Sequence, residues 1–173
     1  IKHACLCVKQ GAKILDIGAQ STRPGASEVG AEIEIKRLVP VIKELKLLHP
    51  EIPISVDTYN HSVAKIVLNA GADCINDISG GLIDQEMFNV ISDFGCPYVL
   101  THSRGNSRTM DSLANYQNVV IDVKNELSNQ IDLALTSGIN SNQIIIDPGL
   151  GFAKNVDHNL ILLRNLEHFV SME

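Results

Sequence analysis

Four polar side chains that close short apolar runs are the residues of this sequence best suited to chemistry. They are Asp57, Asn76, Asp77 and Asp147. Carboxylate and amide groups provide fixed hydrogen-bond acceptors, which a flat, nitrogen-rich heterocycle with amino and ring N–H groups needs in its plane. The alternative is that these residues cap the following helices or shape turns, which is their common role at such positions. The residues alone leave both interpretations open.

A second candidate is the segment from Asp16 to Gly25, which is long for a loop that joins a strand to a helix. It combines Ser and Thr hydroxyl groups with the guanidinium of Arg23 and with two glycines. Arg offers a planar fork of donors that matches phosphate oxygens, so the segment is suited to hold an anionic substrate and to act as a mobile lid. A plain solvated loop is the alternative.

Two further segments follow apolar runs. The segment from Thr101 to Asn106 contains His102, which we expect to be a structural group that positions the loop rather than a proton shuttle. The segment from Asp147 to Phe152 places two glycines and an aromatic ring just beyond a strand. Glycines there allow either a close approach of the backbone to a ligand or a tight turn.

The elements that must position these residues repeat along the chain. Each apolar run is rich in Ile and Val, ends on a polar residue and precedes a segment with helical spacing of apolar residues, which is typical of parallel strands buried under helices. The sequence has no GxGxxG after the first run and no Walker motif, which disfavours the nucleotide-binding open sheets. We therefore predict an α/β fold, an incomplete TIM (β/α)8 barrel with about five parallel strands whose carboxyl ends share one mouth. The runs are 13–16, 53–57, 74–77, 97–102 and 143–147.

Composition restricts the partners. The 173 residues are 45% hydrophobic and 20% charged, with a net charge of -6 and no basic block. Nucleic acid and anionic membranes both select clustered Lys and Arg, so we expect neither, and we expect small-molecule partners instead. No run is long enough to span a bilayer and no signal peptide is visible, so we expect an intracellular protein. The four cysteines lack zinc-site spacing.

Five motifs together resemble the dihydropteroate synthase family, in order and at fitting separations over nearly the whole chain. STRPGA after DIG is highly specific, and DPGxGF together with INDISGG makes coincidence improbable. The motifs are DIGAQSTRPGA (16–26), SVDT (55–58), INDISGG (75–81), HSRGNSRTM (102–110) and DPGLGFAK (147–154). The resemblance implies a pterin-binding transferase that condenses 6-hydroxymethyl-7,8-dihydropterin diphosphate with p-aminobenzoate to give dihydropteroate and pyrophosphate.

The resemblance also implies roles for individual residues. The matching Asp of SVDT, Asn of IND and Asp of DPG bind the pterin ring in the family, which are Asp57, Asn76 and Asp147 here. In the family, the STRP loop closes over the p-aminobenzoate site, which implies that Thr22 and Pro24 border this substrate here. Phe152 is expected to contribute an apolar wall. Arg23 orders the loop and holds the diphosphate, whereas no side chain is needed as a nucleophile. The residues assigned to the loop and the p-aminobenzoate site are Ser21, Thr22, Pro24 and Phe152.

The family implies further parts that residues 1–173 do not contain. They are the first strand, which carries an Asn for the cofactor Mg2+, and the last two strands, which carry a pterin-contacting Lys and an Arg and His for the diphosphate. We therefore expect one partial pterin-binding domain over 1–173, with no metal ligand of its own and no activity by itself. The GAQS and THSRG variants resemble those of fungal-type, multifunctional folate-synthesis polypeptides. Relatives are often dimeric, so the resemblance implies a homodimer, and the expected compartment is the cytoplasm or the mitochondrion. The alternatives are a pterin-binding methyltransferase domain and an inactive pterin-binding remnant.

Overall fold

A computed structural model of the chain describes residues 1–21, 29–170 and 172. Within these ranges, parallel strands form a single sheet in the order of the sequence, β1-β2-β3-β4-β5. The strands are β1 (Leu15–Gly18), β2 (Ile54–Asp57), β3 (Cys74–Asp77), β4 (Tyr98–Thr101) and β5 (Ile144–Asp147).

Helices alternate with these strands. The described residues form α1 (Lys2–Lys9), α2 (Ala31–Leu48), α3 (His61–Asn69), α4 (Glu86–Phe94), α5 (Val119–Thr136), α6 (Val156–Arg164) and α7 (Glu167–Val170). Short 3-10 turns lie at Met110–Leu113, before α5, and at Ser141–Gln143, before β5.

Local sequence sets where several helices begin and end. The side chains of Asn60 and Asn118 accept hydrogen bonds from backbone N–H groups in the first turns of α3 and α5, and Asn155 does the same for α6. Such caps satisfy N–H groups that have no partner within the helix. At the other end, α4 stops at Gly95, whose φ of 63° is the left-handed conformation that glycine adopts at little cost.

The core lies between one face of the sheet and the helices. Side chains alternate between the two faces of a strand, and the buried apolar members of the strands, except Cys74, belong to one alternation. Ile54, Val56, Ile75, Tyr98 and Leu100 are at most 1% exposed and pack against helical side chains. The opposite alternation carries mainly polar side chains. The helices therefore cover only one face, and the other face is available for ligands.

Successive parallel strands with helices on one face form the repeating unit of a (β/α)8 barrel. The first and last strands of the described sheet do not pair with each other, so the sheet is an open arc. This confirms the predicted α/β fold and the incomplete barrel. The first predicted run was misplaced: β1 continues to Gly18, and Asp16 lies within the strand instead of ending it. None of the helices in the described ranges has the length and apolar character needed to cross a membrane.

Candidate active site

Three predicted acceptors lie on the face of the sheet that the helices leave open. Asp57 and Asn76 are Cα partners in neighbouring strands, and Asn76 is in turn the partner of Val99. Val99 pairs with Ile145, and Asp147 lies two residues further along β5, so it projects to the same side. Asp57, Asn76 and Asp147 therefore share one face and one end of the sheet, as the sequence predicted.

Asp16 joins this face, although it was not predicted as an acceptor. The Nδ2 atom of Asn76 donates to Oδ2 of Asp16 over 3.1 Å. The two residues belong to strands separated by β2, roughly 10 Å apart in the backbone. Two short side chains meet over that span because the sheet is concave on this face. The alternation of side chains along β1 would have identified Asp16 if the strand had been predicted to extend to Gly18.

The Asp57 carboxyl group has an unusually high pKa. Burial, followed by the charges of the nearby Asp16, Asp77 and Glu34 carboxylates, raises its pKa to about 7. No described residue donates a hydrogen bond to this carboxyl group, so nothing in the described part of the chain offsets the loss of water. Near neutral pH the group is therefore divided between its acid and carboxylate forms, and a ligand that donates hydrogen bonds selects the carboxylate.

Asp77 does not contribute to this face, which corrects the sequence-based grouping of four acceptors. Its side chain points into the core and is fully buried. Oδ1 accepts from the N–H and the hydroxyl group of Ser79, and Oδ2 accepts from the N–H of Gly81 and the Tyr98 hydroxyl, at 2.7–2.9 Å. The sequence could not separate Asp77 from Asn76, because adjacent residues differ only in the face to which the pleat directs them.

Asp147 is held in place by two separate contacts. Its backbone oxygen accepts from the N–H of His102 at 2.9 Å, which extends the ladder between β4 and β5. Its Oδ1 atom accepts from the N–H of Gly149 at 2.7 Å. Gly149 is required here: its φ is 70°, and an added Cβ would lie 1.9 Å from the His102 oxygen. The glycine of the DPG motif thus serves the tight turn, one of the two roles considered for it.

The loops that follow all five strands line one pocket, whose empty space of about 460 Å³ includes open solvent at its mouth. The predicted Ser21 and Phe152 both line it, whereas Asp57, Asn76 and Asp147 lie outside it. The structure therefore separates the predicted site into an acidic concave face and a largely apolar pocket at the mouth. The pocket walls include Gln20 and Ser21 after β1, Tyr59 after β2, Ile78 and Ile83 after β3, Met110 after β4 and Phe152 after β5.

The predicted loop residues Thr22, Arg23 and Pro24 lie outside the described residues. The side chain of Gln20, just before them, makes contacts that sequence reasoning missed. Its Nε2 atom donates to the Tyr59 hydroxyl at 2.7 Å, and its Oε1 atom accepts from the N–H of Val29 at 2.9 Å. One side chain thus joins the loops after β1 and β2 at the rim of the pocket.

His102 is structural, as the sequence analysis expected. It is 1% exposed and lies between the Glu126 carboxylate and the Lys154 amine, at 2.9 Å from each. Burial, followed by the charge of Lys154, lowers its pKa to about 4. An imidazole that stays neutral near pH 7 and is surrounded by protein groups is poorly placed to exchange protons with a ligand.

Arg104 lines the pocket but offers it little free charge. Its guanidinium group forms a two-pronged ion pair with Glu126, lies 3.9 Å from the centre of the Tyr116 ring and donates to the Asn115 oxygen at 2.7 Å. Contacts of this kind neutralise the cation and leave it as a wall of the pocket.

A metal site is not built from the side chains that the structure describes. No group of three or more His, Cys, Asp or Glu side chains in residues 1–21, 29–170 and 172 is arranged to hold an ion. The concave face carries Asp16 and Asp57, but the Asn76 amide donates to Asp16 instead of leaving its oxygens for a cation. The described residues therefore do not fit a Mg2+ site.

The family model described as "pterin binding enzyme" matches residues 1–173, the whole chain. The chain belongs to this family. Dihydropteroate synthase from Synechocystis sp. is 44% identical over 166 residues, which cover 96% of this chain and 57% of that protein. The folic acid synthesis protein fol1 of Schizosaccharomyces pombe is 42% identical over 171 residues, which cover 98% of this chain and 23% of the relative.

Solved structures agree with the family. Dihydropteroate synthase from Xanthomonas albilineans with 4-aminobenzoic acid superposes with a TM-score of 0.91 at 35% identity, over 99% of this chain and 60% of that one. The Yersinia pestis enzyme in complex with a sulfonamide drug has a TM-score of 0.93 at 34% identity, over 98% of this chain and 61% of that one. The chain therefore spans about three fifths of the single-enzyme relatives it matches, and a smaller share of the multifunctional ones.

Proposed function

We propose that this chain contributes the pterin-binding face and the amine pocket of a dihydropteroate synthase. The observation that carries the proposal is the placement of Asp57, Asn76 and Asp147 on one concave face, next to a pocket lined by the loops after all five strands. Family membership, and relatives crystallised with 4-aminobenzoate and with pteroic acid, support the same substrates for this chain.

The concave face suits a pterin because its acceptors are fixed before a ligand arrives. Carboxylates accept hydrogen bonds from the amino and ring N–H groups of a pyrimidine, and an amide both donates and accepts. Together these groups can bind one edge of the ring. Asn76 is already oriented by its bond to Asp16, and Asp147 by its bond from Gly149. Asp57 completes the set without reorganising, since no described partner has to be displaced.

The adjacent pocket suits the ring of p-aminobenzoate. Phe152, Ile83 and Met110 supply apolar walls, and Ser21 and Ser103 supply polar edges. By resemblance, Thr22 and Pro24 complete this wall, and Arg23 holds the diphosphate. A pocket that opens beside the pterin face places the amine nitrogen of one substrate near the reacting carbon of the other, which is the geometric requirement for bond formation.

The chemistry needs no nucleophilic side chain. The C–O bond between the pterin methylene carbon and diphosphate breaks, the amine nitrogen forms the new C–N bond, and the nitrogen releases one proton. Positive charge develops on the pterin as the leaving group departs, and the carboxylates of Asp57 and Asp147 stabilise that charge. Since the described residues do not fit Mg2+, we assign it no step and propose only that it accompanies the diphosphate on ligands outside them.

The proposal also includes a cellular location and an oligomeric state. An intracellular location follows from folate-synthesis relatives such as the mitochondrial bifunctional proteins of Arabidopsis thaliana and Pisum sativum. A homodimer is proposed because α5 and α6 expose large apolar side chains, including Ile121, Leu160 and Leu163. Sedimentation of the full-length protein tests the dimer.

Turnover by the full-length protein tests the function. Supplied with 6-hydroxymethyl-7,8-dihydropterin diphosphate and p-aminobenzoate, it should release pyrophosphate and dihydropteroate in equal amounts, and a sulfonamide should compete with p-aminobenzoate. Pterin binding without product would favour an inactive remnant. Methyl transfer from a methylated pterin, with no condensation, would favour the methyltransferase alternative.

A further inference from the structure

Lys154 carries a buried amino group that the mechanism above does not use, and burial lowers its pKa to about 7. It is 9% exposed and lies in the loop between β5 and α6. Its Nζ atom lies 2.9 Å from three acceptors: the Gly149 oxygen, the Phe152 oxygen and Nδ1 of His102. The His102 oxygen lies further away, at 3.4 Å. A buried ammonium group is costly unless its N–H bonds are all used, and here three acceptors match three donors.

The contact with His102 determines which imidazole nitrogen carries the proton. Nε2 of His102 lies 2.9 Å from a Glu126 carboxylate oxygen, which only accepts. The imidazole is neutral, so Nε2 holds its single proton and Nδ1 is free to accept from Lys154. The cation thus bonds at once to the loop after β5, through Gly149 and Phe152, and to the loop after β4, through His102.

A second connection joins the same two loops. Glu126 binds both His102 and Arg104, and Arg104 lies over the ring of Tyr116. The Tyr116 hydroxyl donates to the Ala153 oxygen at 3.1 Å, next to Lys154 in the chain. Ala153 has a φ of 50°, unfavourable for a residue with a side chain. The contacts on either side of Ala153 hold the backbone in this conformation.

We propose that Lys154 is a positioning residue that fixes Phe152 in the wall of the amine pocket. This inference rests on the proposed function. The loop after β5 carries Phe152, and the loop after β4 carries Arg104, Asn106 and Met110 of the opposite wall. Lys154 is bonded to the backbone of the loop after β5 and to the ring of His102 at the start of the loop after β4, so it sets the distance between the two walls that hold the ring of p-aminobenzoate.

The two substrates should depend on Lys154 to different degrees. Phe152 depends on Lys154 because the cation binds its carbonyl oxygen directly. Asp147, which serves the pterin, is held by the N–H of His102 in the strand ladder and by the N–H of Gly149, and Lys154 acts on its carboxylate through charge, without a hydrogen bond. Loss of the cation should therefore affect the amine far more than the pterin diphosphate.

Steady-state kinetics of the full-length protein test this separation. In Lys154→Met, which keeps the length of the side chain without its donors, we expect the KM for p-aminobenzoate to rise about tenfold, with the KM for the pterin diphosphate within about twofold. Lys154→Arg should not restore the wild-type value, because a planar fork cannot place three donors on one nitrogen. Lys65→Met, on the exposed side of α3, is the matched control and should leave both constants unchanged.

Imidazole NMR provides a readout that a purely structural role would not change. In the wild type, we expect His102 in the Nε2–H form with a hydrogen-bonded Nδ1. In Lys154→Met, the Nδ1 resonance should move to that of an unbonded nitrogen, and His102 should protonate at a higher pH because a neighbouring cation has gone. An Nδ1–H tautomer in the wild type would overturn the proposal.

Further results would overturn the proposed role of Lys154 or the function on which it rests. Unchanged constants in folded Lys154→Met, or an equal rise for both substrates, overturn the proposal. If that variant does not fold, Tyr116→Phe replaces it: removal of the hydroxyl that binds Ala153 should raise the KM for p-aminobenzoate about threefold, and no rise overturns the proposal. If the wild type forms no dihydropteroate, the proposed function fails, and the NMR titration alone decides whether Lys154 holds His102.

Discussion

Asp57 and Asp77 each end a strand of the same sheet, yet their surroundings are opposite. Asp77 faces the helices, is fully buried and accepts four hydrogen bonds from Ser79, Gly81 and Tyr98. Asp57 faces the concave side, accepts none from the described residues and has a pKa raised to about 7. The first carboxylate stabilises the fold around it, and the second retains its unused hydrogen-bonding capacity for a ligand.

The difference shows that the two faces of one sheet have different roles: acids on the helix-facing side bind protein donors, and acids on the concave side are available to a ligand. Donors can be supplied to the helix-facing side by the turn after the strand, as Ser79 and Gly81 do for Asp77. On the concave side, the described groups that act on Asp57 are acidic, and they include Asp16 of β1. Binding of a pterin would supply the donors that this side lacks, so affinity arises where the fold leaves its acceptors unsatisfied.

The largest expected effect comes from Asp77→Asn. The amide has one acceptor oxygen where four donors converge, so at least one buried donor loses its partner and the charge-assisted bonds are lost. We expect the free energy of unfolding to fall by about 3 kcal/mol, measured by urea denaturation of the full-length protein. Asp93→Asn, on the exposed side of α4, is the control and should change it by less than about 0.5 kcal/mol. Equal values for the two variants would contradict the structural role of Asp77.

Asp57→Asn should have the reverse pattern. The variant removes a carboxylate that is surrounded by other acids, so stability should be unchanged or slightly higher. Affinity for 6-hydroxymethyl-7,8-dihydropterin should fall about 50-fold, because an amide is uncharged and has one acceptor oxygen, whereas the carboxylate accepts charge-assisted bonds at two. Isothermal titration calorimetry of the full-length protein measures this, and a loss below about threefold would remove Asp57 from the pterin site.

The pH dependence of pterin binding sharpens the comparison. With a pKa of about 7, Asp57 is mostly protonated at pH 6 and mostly ionised at pH 8. The ligand needs the ionised form, so its affinity should be about tenfold lower at pH 6 than at pH 8 in the wild type. The Asp57→Asn variant should show a flat profile over this range, and a similar slope in both proteins would assign the titration to another group.

Stability should change with pH in the opposite direction. The folded-state pKa of Asp57 is raised above its unfolded value of about 4, so the native state binds more protons between pH 4 and 7. Its contribution to stability is therefore present at low pH and lost as the pH rises through about 7. Unfolding experiments without ligand should show this slope in the wild type and a weaker slope in Asp57→Asn.

The smallest effect is expected from Asp16→Asn. Its charge raises the pKa of Asp57, so the variant should move the midpoint of the pH profile for pterin binding to lower pH. Affinity at pH 8 should fall only about threefold, because Asp16 touches the site through the amide of Asn76. A midpoint that stays in place would mean that burial alone sets the pKa of Asp57.

The sequence predicted the fold and the position of most candidate-site residues at strand ends, for a reason that is visible in particular residues. Apolar runs that end on Asp57, Asn76 and Asp147, each followed by a helical pattern, require parallel strands whose carboxyl ends lie at one edge. The motifs around Ser21 and Phe152 then indicated the pocket, and the structure places both residues in its wall. His102 was expected to be structural, and its burial agrees with that expectation.

Two side chains that sequence reasoning missed, those of Lys154 and Gln20, depend on contacts between distant segments. Lys154 is a charged residue in a loop by sequence, and only the approach of the loops after β4 and β5 makes it a buried cation with three acceptors. Gln20 joins residues of two loops for the same reason. Neither side chain has a local pattern that distinguishes it from an exposed one.

By itself, the sequence determined the order of strands and helices, the acidic residues at their junctions and the family, because these follow from local periodicity and from motifs. Only the tertiary structure decided the face on which each acid lies, and so which acid binds protein donors and which is left for a ligand. The physical reason is that side chains alternate along a strand: a shift of one residue exchanges core and solvent, and the pairing of neighbouring strands selects between the two.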